Sequence, residues 1–163
     1  MSYVGADGAV TVNLAGQGVA GTDTTGAAGA DTLSNIDNVV GSQYNDTITG
    51  DGNANVLDGG FGADTLIGNA GADTLNGGIG NDTLMGGTGN DALNGGTGSD
   101  TISYDDAASS VIVSLADQGN GTTDTSGGGL GTDTLSGVEN VIGSDFNDTL
   151  TGDGIANILQ GGD

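Results

Sequence analysis

Along this chain single branched apolar residues return at a fixed interval against a background of glycine and aspartate. From Gly41 to Ser103 it divides, without insertion, into seven nine-residue units: GSQYNDTIT, GDGNANVLD, GGFGADTLI, GNAGADTLN, GGIGNDTLM, GGTGNDALN and GGTGSDTIS. Position eight is Leu or Ile in every unit, position one is Gly in every unit, and position six is Asp in six of the seven. The residues around position eight read as a short strand whose middle side chain points inward, and Gly-Gly-x-Gly-x-Asp before it reads as a turn. One such unit cannot bury its apolar residue alone, so a constant short period predicts units stacked on one another in a solenoid. Ile48, Leu57, Leu66, Leu75, Leu84, Leu93 and Ile102 are the predicted core ladder.

The flanks carry weaker versions of the pattern. Val10-Thr11-Val12-Asn13-Leu14 alternates strictly, predicting a strand with Val10, Val12 and Leu14 on one face. Residues 26–34, GAAGADTLS, form an isolated unit with Asp31 at position six, and Asn35 to Val40 predicts a short strand that continues the solenoid with altered turns. After the array the same features return. VIVSLADQG at 111–119 matches VTVNLAGQG at 10–18, GGLGTDTLS at 128–136 matches 26–34, and VENVIGSDFNDTLTGDGIANIL matches IDNVVGSQYNDTITGDGNANVL. A second period of about 101 residues therefore encloses the short one. The resulting organisation is an irregular module at 1–40, the regular array at 41–103, a second irregular module at 104–142 and the start of a second array at 143–163. Ending partway through a unit, the sequence reads as a piece of a longer repetitive protein or as one built to associate end to end.

Composition narrows the chemistry. The 163 residues carry 22 acids and no Lys, Arg or His, a formal charge of −22, and every acid except Glu139 is Asp. Nucleic acid and anionic membrane are excluded as partners, because both need cations on the protein. No stretch is long and apolar enough for a membrane helix, and no secretory signal peptide opens the chain. With 36 glycines and few aromatic residues, the chain without metal reads as largely disordered, since a thin row of Leu and Ile cannot offset backbone entropy and aspartate repulsion. The absence of Cys and His leaves only oxygen donors, which selects a hard cation. Ca2+ suits them better than Mg2+, because it accepts six to eight oxygens, main-chain carbonyls included, in loose geometry. Glycine at positions one, two and four is expected to permit positive-φ turns that aim carbonyls into one concavity.

These units resemble the repeats-in-toxin (RTX, hemolysin-type calcium-binding repeat) family. The resemblance implies an all-β fold, a parallel β-roll or β-helix solenoid in which two units make a turn and loops of units i and i+2 stack with calcium between them. Carried over residue by residue, the family's position-six ligand falls on Asp46, Asp64, Asp73, Asp82, Asp91 and Asp100. Asp46, Asp64, Asp82 and Asp100 would follow one another along one edge, and Asn55, Asp73 and Asp91 along the other. Asn55 departs from the pattern, leaving its site one charge short, with Asp51 as a substitute. Asp31, Asp133 and Asp148 are candidates in the isolated units. Asp23 and Asp124 fit either ligands or solvated loop residues, while Asp105 and Asp106 read as surface. The competing reading, that these aspartates only cap turns, is the weaker one for so regular an array.

The function implied is a non-catalytic, calcium-loaded extracellular module that leaves the cell unfolded, by resemblance through a type I secretion system, and folds on meeting external calcium. A spacer in an adhesin, surface layer or filament fits the long period. The alternatives are the export and folding appendage of a secreted enzyme such as a protease, lipase or epimerase, and an ice- or polysaccharide-binding module. The last rests on Thr47, Thr65, Thr83 and Thr101, which would align on one outward face. An enzyme is not expected, since the carboxylates are accounted for as ligands on a convex edge with no cleft.

Overall fold

The structure is a computed structural model that describes residues 1–15, 32–116, 118 and 129–162, and the backbone of 24–26 and 125–127. Asp31, Asp23 and Asp124 lie outside the described residues. Strand β1 (Val10–Asn13) pairs antiparallel with β2 (Thr24–Gly26), and β3 (Asn38–Val40) follows. Each unit of the array then supplies one strand: β4 (Thr47–Thr49), β5 (Val56–Phe61), β6 (Thr65–Ile67), β7 (Thr74–Ile79), β8 (Thr83–Met85), β9 (Ala92–Thr97) and β10 (Thr101–Ser103). Beyond it come β11 (Val111–Ser114), β12 (Thr125–Gly127), β13 (Thr134–Ser136), β14 (Asn140–Ile142), β15 (Thr149–Thr151) and β16 (Ile158–Gln160). All these strands are short, and no helix among the described residues is long and apolar enough to cross a membrane.

Strands alternate between two parallel sheets. β4, β6, β8 and β10 stack in one, with Ile48 opposite Leu66, Leu66 opposite Leu84 and Leu84 opposite Ile102. β3, β5, β7, β9 and β13 stack in the other, with Val39, Leu57, Leu75, Leu93 and Leu135 in register. Two units therefore make one turn, and each inward position-eight side chain rests on the one two units away. All seven array residues at that position are sealed from water, at 0–1 % exposure. Each is worth roughly 1.5–3 kcal/mol of burial. The two rows lie between the sheets, and the Ile48 row is continued at its N-terminal end by β1, whose Val12 pairs with Ile48 and whose Val10 and Leu14 are also buried. The solenoid, its inward ladder and the β1 face all follow the sequence expectation.

The long period has a consequence visible only in the topology. β3 and β14 come from matching sequence, yet β3 pairs with β5 in one sheet while β14 pairs with β10 in the other. Matching β5 and β16 are exchanged in the same way. Counting half-turns after β3 gives seven for β4 to β10, then β13 and β14, an odd total. One long repeat therefore ends half a turn out of phase with the last. The hairpin of β11 and β12 is an excursion outside that count. It leaves after β10 and pairs onto the later β15, while β13 returns to stack on β9. Gln118 fastens it by bonding both the N–H and the carbonyl of Val138.

Candidate metal centre: two aspartate ladders

Position six is where the turn hands over to the strand, so stacking the strands stacks the aspartates. Along the first sheet the N–H of Asp46 donates to Asp64 Oδ1 at 2.7 Å. That of Asp64 donates to Asp82 Oδ1 and that of Asp82 to Asp100 Oδ1, both at 2.8 Å. Along the second, Asn55 donates to Asp73 Oδ1 at 2.7 Å, Asp73 to Asp91 Oδ1 at 2.8 Å and Asp91 to Asp133 Oδ1 at 3.0 Å. The two edges hold the aspartates in the predicted order. Asp46, Asp64, Asp73, Asp82, Asp91, Asp100 and Asp133 are at most 2 % exposed. They lie inside the turns, not on a convex outer edge as the sequence suggested.

The capping alternative is thereby half right. One oxygen of each carboxylate caps the turn of the rung before it. The other is a different matter: Oδ2 of Asp64, Asp73, Asp82, Asp91 and Asp100 is buried and has no hydrogen-bond partner. A buried carboxylate oxygen with nothing to replace its water is costly. Burial pushes the Asp64 carboxyl up to about 7, opposed by the Asp46 N–H and reinforced by the charges of Asp82, Asp46 and Asp58. Burial takes Asp73 to about 6, against the Asn55 N–H and with the charges of Asp91 and Asp51. Asp82, Asp91 and Asp100 are raised by the same burial.

Glycine serves this arrangement in two separate ways. From the third unit of the array on, positions two and four take positive φ, +105° at Gly78 and +150° at Gly80, a region that favours glycine, with Asn69 at +75° the one other residue there. Position one is otherwise: Gly59 and Gly77 have ordinary φ, correcting the expectation that all three turn glycines serve positive-φ turns. A Cβ on Gly59 would collide with Asp64 Oδ2 and the Gly77 carbonyl oxygen, and one on Gly77 with Asp82 Oδ2 and the Gly95 carbonyl oxygen. The missing side chain makes room for the carboxylate to fold back under its own turn.

This donor set fits calcium. Oδ2 of Asp64 and of Asp82 and the carbonyl oxygens of Gly77 and Gly95 crowd the position-one glycines, and the chain has no basic side chain. Among the described residues no three carboxylates converge, and a site of few carboxylates with main-chain carbonyls beside them suits the loose oxygen coordination of Ca2+ better than the strict octahedron of Mg2+. Oδ2 of Asp64, Asp73, Asp82, Asp91 and Asp100 is the carboxylate oxygen left available to such an ion.

The remaining candidates are placed differently. Asn55 is satisfied within the protein, its Oδ1 accepting the Asp51 N–H at 2.8 Å and its Nδ2 donating to the Asp37 carbonyl at 3.0 Å. Asp51 turns its carboxylate onto the Asn53 N–H and side-chain amide rather than into the ladder. Asp148 accepts the Val111 N–H at 2.9 Å. Burial opposes its ionisation, but the Ser144 hydroxyl and the N–H groups of Val111 and Ser144 outweigh it and hold the carboxyl below its ordinary value. Asp105 and Asp106 are exposed. Sequence reasoning passed over Glu139, which ends the first ladder by accepting the Asp100 N–H at 2.8 Å. No nonapeptide contains it, and the only signal is its match to Asp37 in the long period.

The family model for the RTX calcium-binding nonapeptide repeat matches residues 33–66, 67–102 and 136–163, together more than half of the chain. No curated protein is similar enough to count as a match.

Proposed function

The chain belongs to the RTX calcium-binding nonapeptide repeat family, and from that premise we propose that it is an extracellular spacer whose compact form is assembled by calcium. That it is a calcium-binding structural module follows from the family. The spacer role is our reading, supported by an array nested in a long period and by the stacking of successive rungs along one axis. The single observation that carries the calcium dependence is the set of five buried Oδ2 atoms without a partner in a protein devoid of basic side chains. Outside the cell calcium is abundant, and each bound ion offsets two charges. In a calcium-poor cytosol the −22 charge favours the open chain that passage through a type I channel requires. Binding and folding are then one equilibrium, because stacked turns do not exist in the unfolded chain. The module is non-catalytic in this reading, its buried acids being committed to the ladders.

Circular dichroism during a calcium titration, with magnesium as control, tests it. The expected result is cooperative gain of β signal with calcium alone. A chelated protein that keeps its strands would overturn the proposal.

A further inference from the structure

The ladder carboxylates fall into two groups by what their second oxygen meets. In Asp64, Asp73, Asp82, Asp91 and Asp100 it meets no hydrogen-bond donor. In Asp46, Asp133 and Asp148 it does. Asp46 Oδ2 accepts the Ser42 N–H at 2.5 Å, and its Oδ1 accepts the Ser42 hydroxyl at 2.9 Å and the Val10 N–H at 2.8 Å. Asp148 repeats this with Ser144, at 2.7 Å for the N–H and 2.6 Å for the hydroxyl, and with the Val111 N–H. Asp133 Oδ2 accepts the hydroxyl of Tyr104 at 3.0 Å, while its Oδ1 holds the Asp91 N–H.

We propose that Ser42, Ser144 and Tyr104 are ladder terminators: their hydrogen bonds occupy Asp46, Asp148 and Asp133 in place of a cation, so calcium is taken up through Asp64, Asp73, Asp82, Asp91 and Asp100. The inference rests on the calcium reading above and specifies which rungs take part in it.

Three observations support this division. First, the donors are built in. Ser42, Ser144 and Tyr104 are at most 4 % exposed, and Tyr104 is anchored by its own N–H to the Ile142 carbonyl at 2.9 Å. Second, the substitution is local and repeated. Ser replaces Gly or Asn at position two in the matching units GSQYND and GSDFND, where the five interior units have Gly60, Asn69, Gly78, Gly87 and Gly96. Third, the chemistry is exclusive. An N–H or O–H presents a positive hydrogen to the lone pair a cation would use, and three such bonds consume most of a carboxylate's acceptor capacity. A carboxylate so bonded is stable as an anion without metal. The terminators also sit where the regular array gives way: Asp46 and Asp148 lie next to the hairpin strands β1 and β11, and Asp133 lies at the return from the excursion. Such rungs keep their register before any ion arrives, and the cation-dependent rungs between them do not.

Counting bound calcium by native mass spectrometry on the full chain tests the assignment, using the near-isosteric variants Asp46→Asn, Asp133→Asn, Asp148→Asn and Asp82→Asn. The expected result is an unchanged ion count for the first three and a lower count for Asp82→Asn. Loss of ions in Asp46→Asn, Asp133→Asn or Asp148→Asn comparable to that in Asp82→Asn would overturn the terminator assignment while leaving the calcium reading intact. A wild-type chain that takes up no calcium would overturn both. Circular dichroism at saturating calcium on the same samples identifies any variant that has not folded. For such a variant the count is repeated with the corresponding cap change, Ser42→Gly, Ser144→Gly or Tyr104→Phe. A wild-type count there rejects the terminator, and an increase supports it.

Discussion

The main-chain N–H of Asp64 donates to Oδ1 of Asp82, 18 residues further on, at 2.8 Å, while Oδ2 of the same Asp82 is buried without a partner. One side chain thus joins two rungs through a hydrogen bond and leaves a charge that a cation from solution must answer. Asp82→Ala removes both, stranding the Asp64 N–H at a cost of about 1–3 kcal/mol before any loss of metal binding. The calcium concentration at half-maximal folding should rise severalfold. Asp105→Ala, at an exposed carboxylate, should leave the titration midpoint within error.

Acidity should act in opposite directions with and without calcium. In calcium-free buffer the folded carboxyls of Asp64 and Asp73 titrate at about 7 and about 6 against 3.8 when unperturbed. Between those values the folded state binds more protons than the unfolded state, so stability falls as pH rises from about 4 to about 7. With calcium present, protons compete for the same oxygens, and affinity weakens as pH falls below about 7. Circular dichroism without calcium, where any residual β signal should be larger at pH 5 than at pH 8, and calcium titrations at the same two pH values check both signs while staying above the sequence isoelectric point of about 4.1.

Position-one glycine should be intolerant for steric reasons alone. Gly77→Ala drives a methyl against Asp82 Oδ2 and the Gly95 carbonyl, and overpacking of this kind costs typically about 1–3 kcal/mol. Gly52, around which a Cβ would meet nothing within 4 Å, should accept alanine with no measurable change in urea midpoint at saturating calcium.

The core ladder gives a third contrast. Leu75 is fully buried between Leu57 and Leu93, so Leu75→Ala should lose about 2–5 kcal/mol at saturating calcium. Ile79, in the same strand but 52 % exposed, should lose no more than about 0.5 kcal/mol on truncation. Calcium-saturated denaturation curves of the two variants distinguish them.

What the amino-acid order determined unaided is what repeats at short range. A nine-residue period with Leu or Ile at position eight admits stacking and little else, and the recurring glycines and aspartates already name the turn and its donors. The inward positions were legible for that reason, while the two edges and their order of aspartates were expected only through the family resemblance. The donors from Ser42 and Ser144 lie only four residues from Asp46 and Asp148, but tertiary structure alone decided the donors that come from far away in sequence. Tyr104 reaches Asp133 across 29 residues and Val10 reaches Asp46 across 36. It also decided that Glu139 ends a ladder no motif places it in, and that matching strands change sheets, since an odd count of half-turns becomes a rotation only when the chain is wound. Local spacing sets the period of a solenoid and places Ser42 and Ser144 beside their aspartates; the bonds from Tyr104, Val10 and Val111 come from segments that meet only once it has formed.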